Sequence, residues 1–91
     1  MTSDESDTRR RVLNRLKRAQ GQLVAVIAAV EQGKPCREVV TQLAATSKAL
    51  DRAGVAIISN AMQERLADPE TAGADANMTP GEFEKLFMML A

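Results

Sequence analysis

The 91-residue sequence has the length of one small domain, and its formal net charge is zero. It is 45% hydrophobic but has no Trp, no Tyr and two Phe, so Ala, Val, Leu, Ile and Met dominate its apolar content. This composition favours packed helices over a β-sandwich or barrel. The absence of His and the single Cys exclude a Ser-His-Asp triad, a Cys-His dyad and a zinc site made from one chain's Cys and His residues.

The first predicted element is a long helix over residues 7–32, preceded by a flexible acidic tail at residues 1–8. Apolar residues recur along it at alternating spacings of four and three, which is the pattern of a helix packed on one face. This seam consists of Val12, Leu16, Ala19, Leu23, Val26 and Val30. The candidate N-caps are Ser6, Asp7 and Thr8. Gly33 is expected to end the helix, and Pro35 cannot continue it.

A second long helix is predicted over residues 35–66, and a short third helix over residues 80–90. The second helix repeats the four-three spacing at Leu43, Ser47, Leu50, Gly54, Ile57 and Ala61. Thr79 and Glu82 fit a capping box at the start of the third helix, with Pro80 in its first turn. Residues 9–91 are thus predicted to form a single all-α domain, a three-helix protomer with two long antiparallel helices.

The apolar stripes are wider than a two-helix hairpin can cover. We expect two hairpins to cover these stripes by self-association into an antiparallel four-helix bundle, as a homodimer or homotetramer. The sequence has neither the apolar stretch of a signal peptide nor a run long enough to span a bilayer. With one Cys and no intrachain disulfide, we expect a reduced, cytoplasmic protein without a membrane partner.

The zero net charge conceals an asymmetric distribution. Residues 1–8 carry −3, residues 9–52 carry +7 and residues 53–91 carry −4. Arg11, Arg15 and Arg18 share one helix face by their spacing, and Lys48 and Arg52 form an i, i+4 pair. Such a basic surface is suited to the phosphates of DNA. A solvated helix face, with Arg side chains paired to the acidic ends of the chain, is the alternative interpretation.

Cys36 is the one thiol, and it lies in the first turn of the second helix beside Lys34 and Arg37. A helix N-terminus and neighbouring cations both favour a thiolate, which is a nucleophile and a soft-metal ligand. A buried Cys packed as a small apolar residue is the alternative. No paired carboxylates in a recognisable cleft and no phosphate-binding Gly loop are present, so an enzyme is not expected.

Several segments together resemble the CsoR/RcnR family of bacterial metal- and stress-sensing repressors. They are RVLNRLKR at 11–18 with Gly21-Gln22, Cys36, TQLAA at 41–45, ALDR at 49–52 and EKLF at 84–87. The resemblance implies an antiparallel four-helix-bundle dimer, a dimer-of-dimers tetramer and operator DNA as partner. By position, Arg15 and Arg52 match family residues linked to DNA binding, and Arg18 and Lys48 extend that surface.

The sensing site of the family is only partly present. In copper-sensing members the helix-two Cys of one protomer meets a His and a second Cys of the partner. Cys36 matches the first Cys, whereas Ala61 stands at the position of the His and Arg65 at that of the second Cys. The resemblance therefore leaves Cys36, facing Arg65 of the other protomer, as the sensing residue for an electrophile or oxidant. A soft metal such as Cu(I), held by Cys36 with Met62, is a second option, and a relic site is a third.

The leading prediction from the sequence is a DNA-binding repressor that releases its operator when a metal ion, an electrophile or an oxidant acts at Cys36. The alternative is a helical oligomerisation or adaptor module that does not bind DNA.

Overall fold

A computed structural model describes residues 3–68, 70 and 73–91 of the chain. It contains helix α1 (Ser3–Glu31), helix α2 (Cys36–Ala67), a short 3₁₀ helix (Gly73–Asp75) and helix α3 (Pro80–Leu90). No strand occurs among these described residues. The predicted all-α protomer, with two long helices and a short C-terminal one, is confirmed.

Helix α1 begins earlier than predicted. The sequence indicated a tail over residues 1–8 and a helix from residue 7. The helical backbone starts at Ser3 instead. Met1 and Thr2 lie outside the described residues. The start is thus upstream of the three proposed N-caps. The segment is rich in acidic residues, which the dipole of a helix favours near its N-terminus, so the helix extends through the acidic sequence.

The connection between α1 and α2 is a tight turn built on Gly33. Its φ of 68° is in the left-handed region, which glycine adopts without steric strain. The Gly33 amide donates to the Val30 carbonyl at 3.1 Å and the Lys34 amide donates to the Ala29 carbonyl at 3.0 Å. The prediction that Gly33 ends the helix is confirmed. Pro35 immediately precedes α2, and its carbonyl accepts from the Glu38 amide at 3.0 Å.

The chain divides into two compact units, one up to Ala53 and one from Gly54 onward. In the first unit, α1 packs with the N-terminal part of α2 through small side chains. Its buried residues are Ala19, Val26, Ala29, Thr46 and Ala53, each at most 7% exposed. Thr46 satisfies its hydroxyl locally, because its Oγ1 donates to the Gln42 carbonyl at 2.9 Å. The hairpin core is therefore thin, and alanine forms much of it.

The large apolar side chains of the first unit lie mostly outside this core. Their exposed fractions range from 36% to 60%, and they comprise Leu13, Leu16, Leu23, Val24, Ile27, Val30, Val40, Leu43 and Leu50. The predicted α1 seam is thus divided: Ala19 and Val26 are buried, whereas Leu16, Leu23 and Val30 are not. The prediction that one hairpin cannot bury both stripes is confirmed.

The second unit joins the C-terminal part of α2 to α3. Its best-buried residues are Phe83, at 2% exposure, and Ile58, at 8%. Helix α3 begins at a cap predicted from the sequence: Thr79 is extended, and its Oγ1 accepts from the Glu82 amide at 3.2 Å. Near the end of α3, Leu90 packs against Gly54, where an added Cβ would lie 2.7 Å from Leu90 Cδ1. Gly54 is therefore the site of a close helix approach.

Within the described ranges, none of the helices has the length and apolar character needed to cross a lipid bilayer.

Candidate functional site

A basic groove lies between α1 and α2 in the first unit. It has a volume of about 420 Å³. It is lined by Arg15, Arg18, Gln22, Ala45, Lys48, Ala49 and Arg52. No carboxylate among the described residues lines it. The antiparallel hairpin therefore brings together cations that are far apart in sequence.

Helical spacing explains how the groove is formed. Arg15, Arg18 and Gln22 follow one another at three and four residues on α1, so they share a face. Lys48 and Arg52 share a face of α2 in the same way, and the short side chains of Ala45 and Ala49 leave the space open. At one end, Arg15 Nη1 donates to the Arg52 carbonyl at 3.4 Å, which joins the two helices.

Four of the five cations predicted to bind DNA thus line one groove. The fifth, Arg11, is exposed on α1 and does not line the groove. An exposed contact of 3.9 Å between Arg10 and Asp7 is an example of the alternative, in which Arg side chains pair with acidic residues. That contact does not involve any cation of the groove.

Gln22 is the residue of the groove that sequence reasoning missed. Its Oε1 is buried and has no hydrogen-bond partner among the described residues. Its position four residues after Arg18, on the same face of α1, could have indicated from the sequence that Gln22 lies beside the cations. A buried acceptor without a donor lowers the stability of the fold by about 1–3 kcal/mol.

A second, apolar groove occupies another face of the same hairpin. Its volume is about 370 Å³. It is lined by Leu13, Leu16, Lys17, Ala19, Gln20, Leu23 and Leu50. It runs through the exposed apolar side chains described above, so one hairpin presents a basic face and an apolar face.

Cys36 is the first residue of α2 and is exposed. It follows the Gly33 turn, and an ion pair of 3.5 Å between Lys34 Nζ and Glu38 Oε1 lies beside it in sequence. The alternative of a buried, inert Cys is therefore wrong for this protomer.

Arg65 lies in the last turn of α2 and is half-buried. Its Nε is buried without a hydrogen-bond partner in the described part of the chain. A guanidinium nitrogen in this state lacks an acceptor, either an oxygen or an anionic sulfur. Ala61 and Met62, one turn before it, are also half-buried.

The donor groups present do not fit a metal ion. No group of three or more Cys, Asp or Glu side chains within the described residues is arranged to hold one, and the sequence contains no His. A second copy of the chain would add one thiol and no His. Soft metals need several thiolate, thioether or imidazole ligands, which the described residues do not bring together.

Comparison with known proteins identifies the family. A family model described as metal-sensitive transcriptional repressor matches residues 8–89. The chain belongs to this family. The members of this family are described as repressors of transcription. The resemblance stated from the sequence is confirmed.

Two relatives are similar to this repressor-family chain. Over 46 residues it is 48% identical to the uncharacterized protein YrkD of Bacillus subtilis (strain 168), an alignment that covers 50% of this chain and 73% of YrkD. Over 63 residues it is 35% identical to the copper-sensing transcriptional repressor CsoR of Mycobacterium ulcerans (strain Agy99), covering 69% of this chain and 54% of CsoR. The aligned part therefore spans about half of CsoR. No solved structure was found to match.

Proposed function

We propose that the protein is a repressor that binds operator DNA through its basic groove and releases the DNA when an effector reacts at Cys36. The observation that carries the DNA-binding part is the convergence of Arg15, Arg18, Lys48 and Arg52 on one groove that no carboxylate of the described residues lines. Membership of a family of transcriptional repressors supports it.

The chemistry of the groove suits a phosphate backbone. Arg binds phosphate oxygens through two parallel N–H groups, and Lys binds them as a point charge. Arg11 lies one turn before Arg15 on α1, so it extends the row of cations beyond the groove. Contacts of this kind release counterions from DNA, and affinity therefore falls steeply as salt concentration rises.

A second copy of the chain fits the apolar face. Large aliphatic side chains line this face of the hairpin and are about half exposed, as Leu23 at 44% and Leu50 at 48% illustrate. Covering them with an identical hairpin gives the antiparallel four-helix bundle expected from the sequence. Because the basic groove lies on another face, it stays open in that bundle, and each bundle presents two grooves to DNA.

The DNA-binding proposal is tested by fluorescence anisotropy with labelled DNA from upstream of the protein's own gene. Arg15→Ala and Arg52→Ala are each expected to weaken binding at least about tenfold, because one charged contact contributes about 1.5–3 kcal/mol. Arg37→Ala is the matched control, since Arg37 is exposed and outside the groove. Equal losses in all three variants would contradict the assigned surface. No binding of that DNA at low salt would favour the adaptor alternative.

We propose for the effector site that Cys36 of one protomer accepts a hydrogen bond from Arg65 of the other. Two observations support this pairing: Cys36 is exposed, and Arg65 is only half-buried and has an Nε without an acceptor among the described residues. The two residues stand at opposite ends of one helix, so a pair requires two antiparallel chains. A guanidinium favours a thiolate at Cys36, and the effector class is then an electrophile or an oxidant.

Alkylation by iodoacetamide tests the effector site. The Cys36 sulfur forms a bond to carbon, iodide leaves, and the anionic sulfur becomes a neutral thioether. The reaction is expected to be several-fold slower in Arg65→Ala than in the unaltered protein. Lys85→Ala is the matched control, because it removes a positive charge from the same C-terminal region. Equal rates in the two variants would contradict the Arg65 pairing.

The release step has its own test. Cys36→Ala is expected to bind DNA as tightly as the unaltered protein but to remain bound after treatment with electrophile or oxidant. Release of the DNA by the treated variant would place sensing elsewhere. Intact-mass measurement after exposure to Cu(I) tests the metal option. Retention of Cu(I) that is lost in both Cys36→Ala and Met62→Leu would replace the electrophile proposal with a soft-metal site.

A further inference from the structure

The basic groove is concave, and its volume of about 420 Å³ is that of a small-molecule site. Ligand pockets in proteins range over about 300–1,000 Å³. A DNA duplex is wider than the space between two packed helices, so its backbone contacts the rim of such a groove. The interior is then available to a smaller anion.

The charges that line the groove suit several adjacent anionic groups. Arg15 and Arg18 reach it from α1, and Lys48 and Arg52 reach it from α2. Cations on both walls of a concave surface focus the electric field inside it, which raises the local concentration of anions. Four cations balance a linear chain of phosphates that carries three to four negative charges, whereas a single phosphate would leave most of them unbalanced.

Gln22 adds a second observation, which concerns an unsatisfied hydrogen-bond acceptor at the groove. Within the described part of the chain its buried Oε1 has no donor, although Arg18 lies one turn earlier on the same face of α1. A guanidinium has five N–H donors in a planar fork, so it can bind a phosphate with two of them and donate another to a neighbouring acceptor. An anion bound by Arg18 therefore leaves further N–H groups of the same side chain to donate to Gln22.

From these observations we propose that the basic groove binds a small polyphosphate anion, either inorganic tripolyphosphate or the triphosphate of a nucleotide. The binding itself is independent of the DNA-binding proposal. If that proposal also holds, polyphosphate and operator DNA compete for the same four cations, and the polyphosphate level sets how much repressor is free to bind DNA.

Isothermal titration calorimetry without DNA tests the binding. Tripolyphosphate and ATP are titrated separately into the full chain and into two double variants. Arg18→Ala/Lys48→Ala removes one groove cation from each helix. Arg9→Ala/Lys34→Ala is the matched control: it also removes one Arg and one Lys, and neither residue lines the basic groove or the apolar groove.

The groove variant is expected to bind both ligands at least about tenfold more weakly, because charged contacts contribute about 1.5–3 kcal/mol each. The control is expected to bind within about twofold of the unaltered protein. Equal weakening of the two variants would show diffuse attraction by the charged surface and would overturn the proposal, as would an absence of binding to the unaltered chain. Similar affinity for both ligands identifies the phosphate chain as the recognised group, and a clear preference for ATP identifies a nucleotide.

Amide chemical shifts locate the ligand. Addition of tripolyphosphate is expected to shift the amide signals of Ala45 and Ala49, which line the groove, and to leave Gly73 and Gly81 of the second unit unchanged. Uniform shifts in both units would overturn the assignment. Displacement of labelled DNA by tripolyphosphate is measured separately. A chain that binds tripolyphosphate in the groove but never binds DNA would refute the DNA-binding proposal and leave this one standing.

Discussion

The close approach of Leu90 to Gly54 makes the effect of Gly54→Ala depend on another residue. In the interior of an exposed helix, Gly→Ala stabilises the fold by about 1 kcal/mol. At Gly54 the new Cβ would meet Leu90 Cδ1 at 2.7 Å and Cδ2 at 3.0 Å, so the Leu90 side chain must move. Leu90 is half-buried, and losing this packing costs about 1 kcal/mol, given about 1.5–3 kcal/mol for full burial. The two effects are expected to cancel in the unaltered background.

A double-mutant cycle separates the two contributions. In Leu90→Ala the obstructing side chain is absent, so Gly54→Ala is expected to raise the free energy of unfolding by about 1 kcal/mol. Gly21→Ala is the control, because an added Cβ there meets nothing within 4 Å and should stabilise in both backgrounds. Urea unfolding is followed by far-ultraviolet circular dichroism at one protein concentration, since the chain has no Trp or Tyr. Effects of Gly54→Ala that agree within about 0.5 kcal/mol in the two backgrounds would refute the reasoning.

Three further predictions concern other elements. Thr79→Ala removes the cap of α3 and is expected to lower the free energy of unfolding by about 1 kcal/mol, whereas Thr79→Ser should preserve most of it. Gly33→Ala places a residue with a side chain in the left-handed region and should lower the free energy of unfolding by about 1–2 kcal/mol in the same assay. An unchanged urea midpoint would contradict the expected backbone strain at this position. Leu23→Glu places a charge on the apolar face, so sedimentation velocity should show a smaller assembly than for the unaltered chain, and an unchanged mass would mean that the second copy binds elsewhere.

The helices and the α3 cap could be predicted from the sequence because their signals are local. Gly33 and Pro35 mark the turn, and Thr79 with Pro80 marks the start of α3. The start of α1 was placed too late, because good N-cap residues inside an acidic segment compete with an earlier start. Periodicity also cannot say which neighbour a helix face packs against.

The same limit explains the candidate sites. The row of cations on α1 could be predicted, but the groove requires the antiparallel pairing that sets Arg15 beside Arg52. The unpartnered atoms of Gln22 and Arg65 depend on which side chains cover them, and no spacing rule reports that. The pairing of Cys36 with Arg65 depends on a second chain, so it stays a prediction.

The thin alanine core has a consequence for how the amount of protein is controlled. Ala19, Ala29 and Ala53 are fully enclosed, while the larger side chains that normally stabilise a small domain face outward. If a second copy covers that face, folding and association are one reaction, and stability rises with the concentration of the chain. A cell holding few copies would then hold them mostly as unfolded monomers open to proteolysis, and repression would begin only above a threshold of synthesis.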